Sequence, residues 1–384
     1  MEVYLDHSAT TRCYEEVKEL VVKTMMEDYG NPSSMHRKGV EAENYLREAT
    51  RELAGILKVQ EKEIYFTSGG TESNNWALVG TAIANRRRGR RILISAVEHA
   101  AVSAPAEWLS EQGFEVIALP VDRAGVVDME ALEAALTPDT ILVSVMYVNN
   151  EIGSVEPVAE IGAKIREKAP GAYFHVDAIQ AFGKYKIHPK RMNIHMLSAS
   201  SHKIHGPKGA GLLYVNEKVK IRPLILGGGQ QGGMRSGTDN VPGAAGMALA
   251  ARLSYENLAS NVSHMREMRE RLAEGIGGME RVVIHGMASG QGAPHILNAS
   301  FLGIRSEVLL HALEDRGIYI SAGSACSSHK RTGSATLAAI GCSREEMESA
   351  VRFSLGEETR PEEIDYTLEV LKSLAPMLRR YTRH

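Results

Sequence analysis

The sequence has 384 residues, of which 43% are hydrophobic and 24% charged, and its net charge is −3. These values are typical of a globular chain with a large core and room for two domains. They exclude a strongly basic protein, so neither nucleic acid nor an anionic membrane is expected as a direct partner.

The N-terminal sequence and the cysteines bear on the expected cellular location. The start, MEVYLDHSATT, lacks the basic and apolar regions of a signal peptide, and no stretch reaches the roughly 20 apolar residues of a membrane span. The cysteines, Cys13, Cys326 and Cys342, are odd in number and widely spaced, so no disulfide framework and no paired metal site is expected. A cytoplasmic location is the simplest interpretation.

Strand-like and helix-like patterns alternate between about residues 60 and 225. Predicted strands cover residues 63–67, 91–95, 115–119, 141–145, 173–177, 196–200 and 212–215. Predicted helices cover residues 15–27, 36–57, 72–88, 100–112, 128–135, 158–167, 244–275, 306–316 and 361–378, with a further strand at 295–301. The alternation predicts an α/β fold with a mostly parallel sheet, whose ligands bind beyond the carboxyl ends of the strands.

A glycine-rich turn follows the strand at 63–67. Ser68-Gly69-Gly70-Thr71 leads into a predicted helix, and a helix N-terminus offers unpaired N–H groups and a positive dipole end to an anion. Gly70 and Thr71 are therefore candidates for phosphate binding. Many strand-to-helix turns use the same residues with the threonine as a simple cap, so this signal is weak alone.

Polar residues also follow two later strands. His99 comes after the strand at 91–95, where a histidine can stack on a pyridine ring and move protons, although a capping histidine explains it better in isolation. Asp177 ends the strand at 173–177 and is suited to keep a pyridinium nitrogen protonated. Gln180 can donate to a ring oxygen, with an ordinary polar helix start as an equal alternative.

Lys203 lies in SASSHKIHGPKGAG, directly after the strand at 196–200. A lysine fixed and desolvated at a strand end has a lowered pKa and can attack an aldehyde. Ser200 and His202 can donate to the same phosphate as the glycine-rich turn. Together with the upstream Asp177, Lys203 indicates an enzyme that uses pyridoxal phosphate.

Two residues near the C-terminus suggest chemistry on a substrate. Cys326 lies in a small, polar, glycine-punctuated loop, about residues 321–335, and basic residues follow it closely. Positive neighbours favour the reactive thiolate, so a nucleophilic role is favoured over a buried, inert one. Arg352 lies in the apolar run AVRFSLG, where it can hold a planar anion such as a substrate carboxylate or else form a structural ion pair.

An ordered set of motifs resembles the cysteine desulfurases of the NifS/IscS type, within the class-V aminotransferase family. The matching segments are YLDHSATT, NPSSMH, FTSGGTESNN, EHAAV, VNNEIG, HVDAIQ, SSHKIHGPKGAGLLY, GGGQQGGMRSGTDNVPG, SAGSACSS and VRFSLG. They run nearly end to end. Gln231 and Gly232 stand where family members often carry an acid and an arginine, a difference expected to concern the dimer edge rather than the chemistry.

The resemblance implies the fold and the cofactor site. It implies fold type I, with a large domain at 15–255 and a smaller α+β domain formed by 1–14 and 256–384. Lys203 would carry pyridoxal 5'-phosphate, and Asn150 and Arg352 would hold the substrate. The cofactor-binding residues would be Gly70, Thr71, His99, Asp177, Gln180, Ser200, His202, Lys203 and Thr238, the last reaching the phosphate of a second subunit in a homodimer.

The resemblance also implies the reaction. Lys203 and His99 would move protons while Cys326 accepts sulfur from L-cysteine as a persulfide and L-alanine is released. The persulfide would pass to an acceptor protein of iron–sulfur cluster assembly or tRNA thiolation. The alternatives are a selenocysteine lyase or another class-V aminotransferase. A further alternative is a sulfur-transfer scaffold without turnover, with no intrinsic metal but with Cys326 as a shared iron–sulfur ligand.

Overall fold

This computed structural model describes residues 1–288, 290–322 and 333–381. The strands are β1 Val3–Tyr4, β2 Ile64–Thr67, β3 Arg91–Ser95, β4 Glu115–Leu119, β5 Thr140–Met146, β6 Tyr173–Asp177, β7 Met196–Ser200, β8 Gly211–Val215, β9 Val282–His285, β10 Ile296–Phe301, β11 Ile318–Tyr319, β12 Ser321–Ala322 and β13 Ala350–Ser354. The α-helices are α1 Glu15–Met26, α2 Arg37–Leu57, α3 Gly70–Asn75, α4 Thr81–Asn85, α5 Ala100–Glu111, α6 Met129–Ala135, α7 Val158–Lys168, α8 Val241–Glu256, α9 Leu258–Gly277, α10 Ser306–Glu314, α11 Ala335–Ala339, α12 Arg344–Ser349 and α13 Pro361–Tyr381.

A seven-stranded sheet with the order β2-β8-β7-β6-β5-β3-β4 forms the centre of the fold. Of these strands, only β8 runs antiparallel to its neighbours, between β2 and β7. Every residue of β5, β6, β7 and β8 is buried, as expected for strands whose two faces are both covered. The predicted α/β fold with a mostly parallel seven-stranded sheet is confirmed.

The two faces of this sheet pack into separate apolar clusters. Alternation along β6 shows the division, because Tyr173 belongs to one cluster and Phe174 to the other. The cluster with Phe174 receives Leu53 of α2 and Met247 of α8, whereas the opposite cluster receives Val102 of α5. This packing fixes the carboxyl ends of β6 and β7 side by side.

A third apolar cluster contains residues from both the N-terminal and the C-terminal parts of the chain. Val3 and Leu5 pack with side chains from residues 268–375, including Phe353 of β13 and Leu371 of α13. Strands β12, β13, β10 and β9 form an antiparallel sheet here, and β1 pairs in parallel with β11. The domain boundaries at 15–255 and at 1–14 with 256–384 remain a prediction.

Two predicted helices are interrupted. The segment predicted as one helix at 72–88 consists of α3, a π-helical turn at Trp76–Gly80 and α4. Trp76 donates its indole N–H to the carbonyl of Arg222 at 3.0 Å within that turn. The segment predicted as one helix at 244–275 is α8 and α9, separated at Asn257. Among the described residues, no helix is both long enough and apolar enough to cross a membrane.

Candidate active site

Lys203 ends a 3₁₀ turn, Ser201–Lys203, directly after β7. Its ammonium donates to the backbone carbonyls of Ser8 and Ala9, the latter at 2.7 Å. The N-terminal segment therefore crosses the carboxyl edge of the sheet at this lysine. Residue His205, two positions later, has a φ of 62°, an uncommon conformation for a residue with a side chain. The backbone around Lys203 is thus held in a specific and partly strained shape.

Asp177 ends the adjacent strand β6 and is 3% exposed. One carboxylate oxygen accepts the N–H of Ile179 at 2.9 Å, and the other accepts the side-chain amide of Asn74 at 2.7 Å. Burial raises the pKa of the Asp177 carboxyl, while these two donors and the charges of His99 and Lys203 oppose that rise. A cationic ring nitrogen beside Asp177 would favour the charged carboxylate further.

Gln180 and Lys203 converge on one carbonyl. The Gln180 amide donates to Ser8 at 3.0 Å, and its side-chain oxygen contacts Nε2 of His295 at 3.3 Å. Since Lys203 also donates to Ser8, this carbonyl joins two of the predicted cofactor residues. The predicted donation of Gln180 to a ring oxygen requires the same amide group and stays a prediction.

His99 caps the N-terminus of α5. Its Nδ1 accepts the N–H of Ala101 at 3.0 Å, which leaves Nε2 as the nitrogen that carries the proton of the neutral ring. Burial lowers the pKa of His99, with the carboxylate of Asp177 opposing and the ammonium of Lys203 adding to the effect. The ring also lines an open cavity together with Thr71 and Trp108. A neutral His99 with a proton on Nε2 can stack on a ring and donate.

The glycine-rich turn forms a narrow cradle between β2 and α3. Gly69 has a φ of 149°, and a Cβ on Gly70 would lie 2.1 Å from the Ile179 side chain, so the turn requires glycine at both positions. The N–H groups of Gly70 and Thr71 have no acceptor in the described part of the chain. Ser200 is buried and packs against this turn.

Two predicted phosphate contacts lie less directly at the cradle. His202 contacts the hydroxyl of Thr10 through Nδ1 at 3.2 Å. Thr238 is exposed, and within the described ranges no hydrogen bond joins it to Lys203 or to the cradle. Arg235, three residues before Thr238, forms a bidentate pair with Glu72 of α3 at 2.9 and 3.2 Å. The segment that carries Thr238 is therefore tied to the cradle helix through Arg235.

Arg352 lies in β13 and is 7% exposed. Its guanidinium donates to the backbone carbonyl of Asn150 at 2.9 Å, to Asp6 at 2.8 Å and to the hydroxyl of Ser321 at 3.0 Å. Its Nε is buried without a hydrogen-bond partner among the described residues. Asn150 and Arg352, predicted to act together on a substrate, are thus in contact, and Nε of Arg352 is a buried donor without an acceptor among the described residues.

Cys326 lies outside the described residues. The described residues on either side of it approach the Arg352 region. Ser321 bonds to Arg352, and the hydroxyl of Ser334 donates to a carboxylate oxygen of Glu151 at 2.5 Å. The described residues Ser321 and Ser334 therefore lie beside the predicted substrate residues.

Several partners at this site were not predicted from the sequence. Asn74 on Asp177, Asp6 on Arg352 and Ser8 on Lys203 each lie far along the chain from the residue they contact. Glu98, next to His99, accepts the hydroxyl of Ser95 at 2.6 Å and the N–H of Met146 at 2.7 Å, and burial raises its pKa well above its usual range. Through these two contacts Glu98 joins the ends of β3 and β5, next to His99 in the sequence. The motifs YLDHSATT and EHAAV were the available signals for Asp6, Ser8 and Glu98.

Comparison with known proteins identifies the family. The class-V aminotransferase model matches residues 3–367. The chain belongs to the class-V aminotransferase family. The cysteine desulfurase IscS of Methanosarcina thermophila is 42% identical over 98% of this chain and 93% of its own, and that of Klebsiella pneumoniae is 43% identical over 99% and 94%.

Solved structures agree with this assignment. A NifS-like protein superposes with a TM-score of 0.93 and 38% identity, covering 98% of this chain and 100% of its own. SspA, solved in complex with cysteine, has a TM-score of 0.82 and 32% identity over 93% of this chain and 100% of its own. The resemblance to the NifS/IscS group of the class-V family is confirmed.

Proposed function

We propose that the chain is a cysteine desulfurase that uses pyridoxal 5'-phosphate to convert L-cysteine into L-alanine and a persulfide on Cys326. The observation that carries the proposal is the meeting of Lys203 and Asp177 at adjacent strand ends, with Gly70 and Ser200 at the same edge. The relatives named cysteine desulfurase support the same reaction.

The residues present fit pyridoxal phosphate. Lys203 offers an amine for the aldehyde, and Asp177 offers a buried carboxylate for the ring nitrogen. The unpaired N–H groups of Gly70 and Thr71 can donate hydrogen bonds to the phosphate. When bound, this cofactor supplies an electron sink for the carbanion next to an amino acid's carboxylate. The remaining proposed contacts are Gln180 and His99 at the ring, Ser200 and His202 at the phosphate, and Thr238 from a second subunit.

The substrate carboxylate is proposed to bind Arg352. The guanidinium is already oriented by Asp6, Ser321 and the Asn150 carbonyl, and its unpaired Nε is the donor that a carboxylate can take. Asp6 prevents Arg352 from being an uncompensated buried charge before substrate arrives.

The side chains of this site can perform the proton and sulfur transfers. The Lys203 amine removes the Cα proton, and Nε2 of His99 donates a proton near the reacting sulfur. The Cys326 thiolate attacks the substrate sulfur, so that an S–S bond forms as the bond between the substrate Cβ and sulfur breaks. Cβ then takes a proton in place of the sulfur.

The outer sulfur of the Cys326 persulfide must then be transferred to an acceptor. We propose a cytoplasmic homodimer that passes sulfur to an acceptor protein of iron–sulfur cluster assembly or tRNA thiolation. A selenocysteine lyase or another class-V aminotransferase would use the same Lys203 and Asp177. An aminotransferase would have no need of Cys326.

Incubation of the holoenzyme with L-cysteine tests the proposal. Alanine and protein-bound persulfide should appear together, at a ratio near one in the first turnover. Alanine at background level would overturn the desulfurase and favour a scaffold without turnover. A parallel reaction with L-selenocysteine, compared by kcat/KM, separates a selenocysteine lyase from a cysteine desulfurase.

Arg352→Lys should raise the KM for L-cysteine by about 10- to 100-fold, because a lysine cannot reproduce the planar, several-fold donation of the guanidinium. The measurement is steady-state alanine release over a range of L-cysteine concentrations. Arg344→Lys is the matched control, since Arg344 forms an exposed ion pair with Glu348. An unchanged KM in Arg352→Lys would show that the substrate carboxylate binds elsewhere.

A further inference from the structure

A small cavity lined by both polar and apolar side chains adjoins Lys203 and takes part in no step described above. Its lining includes His7, Lys184, Lys203, His205 and Glu357. Its volume of about 20 Å³ is sufficient for one water molecule. The polar side chains in this lining give an ordered water the hydrogen-bond partners that an entirely apolar cavity lacks.

Lys184 connects the cavity to the backbone of Lys203. Its ammonium donates to the Lys203 carbonyl at 3.1 Å. The preceding Gly183 has a φ of 77°, and a Cβ there would lie 2.6 Å from the side chain of Ile204. The backbone at Gly183 therefore packs closely against Ile204, the residue after Lys203. Burial lowers the pKa of Lys184 to about 8, with the charge of Glu357 opposing. Lys184 is therefore a half-buried lysine in contact with the turn of the cofactor lysine.

Glu357 is the negative group of the cavity. One carboxylate oxygen accepts the hydroxyl of Tyr14 at 2.5 Å, and the other accepts the side-chain amide of Asn261. Lys184 and Glu357 line the same cavity, and the charge of Glu357 favours the protonated form of Lys184, but the two form no direct ion pair. A bridging water would let a buried pair of this kind satisfy its remaining hydrogen-bonding capacity.

One ring nitrogen of His7 lacks a hydrogen-bond partner among the described residues. Its Nδ1 is buried without a hydrogen bond in the described part of the chain. Its ring packs against Gly356, where an added Cβ would lie 2.5 Å from Nδ1. The ring of His205 lies 6.3 Å away, centroid to centroid, and its own Nδ1 donates to the carbonyl of Arg12 at 2.8 Å. A buried nitrogen without a partner costs free energy unless a water molecule satisfies it.

We propose that one water molecule in this cavity joins Lys184, Glu357 and His7, and that Lys184 is a positioning residue for Lys203. Lys184 follows Asp177 by seven residues and Glu357 follows Arg352 by five. The bridged pair thus links the strand of the cofactor acid, the turn of the cofactor lysine and the strand of the substrate arginine. The inference rests on the function proposed for Lys203, and it adds Lys184 and Glu357 to that function.

The two charges of the pair act on Lys203 with opposite signs. A nearby cation lowers, and a nearby anion raises, the pKa of a nitrogen that carries positive charge. Among the described residues, the titratable groups His7, His99, Asp177, His202 and His205 also lie near Lys203. They are identical in each variant, so a difference between variants isolates the contribution of the pair.

The test is a pH titration of the absorbance of the cofactor-loaded enzyme. In Lys184→Met the midpoint pH of this absorbance change should rise by about one unit. In Glu357→Gln the midpoint pH should fall by a similar amount. Lys184→Met should also lower kcat by about 10- to 100-fold with little change in KM, because Lys203 loses its alignment. Lys186→Met, at an exposed lysine two residues away, is the control and should match the wild type.

Opposite shifts would not arise from a merely structural role. Midpoints that stay constant, or that move in the same direction, would overturn the positioning role. A crystal structure of the wild-type holoenzyme with an empty cavity would overturn the water bridge, and this readout serves even if Lys184→Met does not fold. Absence of alanine from wild-type reactions would instead contradict the proposed function, while the cavity water would still be observed.

Discussion

Lys203→Ala is expected to lower alanine release from L-cysteine by about 10³-fold or more, because the variant loses both the amine that holds the cofactor and the base that removes the substrate proton. The native lysine is positioned for both roles, since its ammonium reaches the Ser8 and Ala9 carbonyls at the carboxyl edge of the sheet. The decisive measurement is mass spectrometry after borohydride treatment of the cofactor-loaded protein, which fixes the lysine–cofactor bond. Wild-type protein should gain the cofactor mass and the variant should not.

Lys186→Ala provides the comparison for this experiment, because Lys186 is exposed and close in sequence to Lys184 rather than to Lys203. It should retain both activity and the borohydride-stable mass. If Lys203→Ala retained the same stable adduct, another lysine would hold the cofactor. Thermal unfolding of both variants without cofactor separates a loss of folding from a loss of chemistry.

Cys326→Ser should abolish sulfide release from L-cysteine in the presence of a thiol reductant, a decrease of more than about 10³-fold, while the yellow colour of the bound cofactor persists. Serine is a much weaker nucleophile toward sulfur than a thiolate at neutral pH. The two effects together distinguish the sulfur-accepting step from cofactor binding. Full sulfide release by Cys326→Ser would refute the persulfide mechanism.

Cys342→Ser is the matched control for that experiment. The Cys342 thiol lies 3.5 Å from Nδ1 of His285, and burial raises its pKa to about 11, so it remains protonated at neutral pH. Burial likewise raises the pKa of Cys13. Neither thiol is therefore suited to accept sulfur, and Cys342→Ser should release sulfide at the wild-type rate.

The sheet was predictable because burial on both faces leaves a short, continuous apolar run. The run at 173–177 coincides with β6, and the run at 196–200 with β7. The direction of β8 was not predicted from the sequence. The available signal was its short connection to β7, residues 201–210, because parallel neighbours need a longer crossover. The interruptions at Trp76–Gly80 and Asn257 were missed because hydrophobic periodicity continues across a π-helical turn and across a one-residue break.

At the site, single residues at strand ends were predictable and their partners were not. Asp177 and Lys203 follow apolar strands, so the topology of a parallel sheet brings them together. Asp6 contacts Arg352 across 346 positions of sequence, and no local pattern carries such a pairing. Lys184 resembles an ordinary surface lysine in the sequence, and its contact with the Lys203 carbonyl follows only from the close approach that Gly183 permits.

The pairing of β1 with β11 sets the order in which this protein can be completed during synthesis. Val3 lies opposite Ile318, and Leu5 donates its N–H to Tyr319 at 2.8 Å. At typical translation rates, roughly 15 to 60 s separate the emergence of these two strands from the ribosome. Until then the apolar cluster that receives Val3 and Leu5 is incomplete, and the segment that supplies Ser8 to Lys203 lacks its pairing with β11. We therefore expect the nascent chain to acquire its cofactor only after nearly the whole sequence has been translated, and a ribosome stalled before residue 318 to carry a chain that does not retain pyridoxal phosphate.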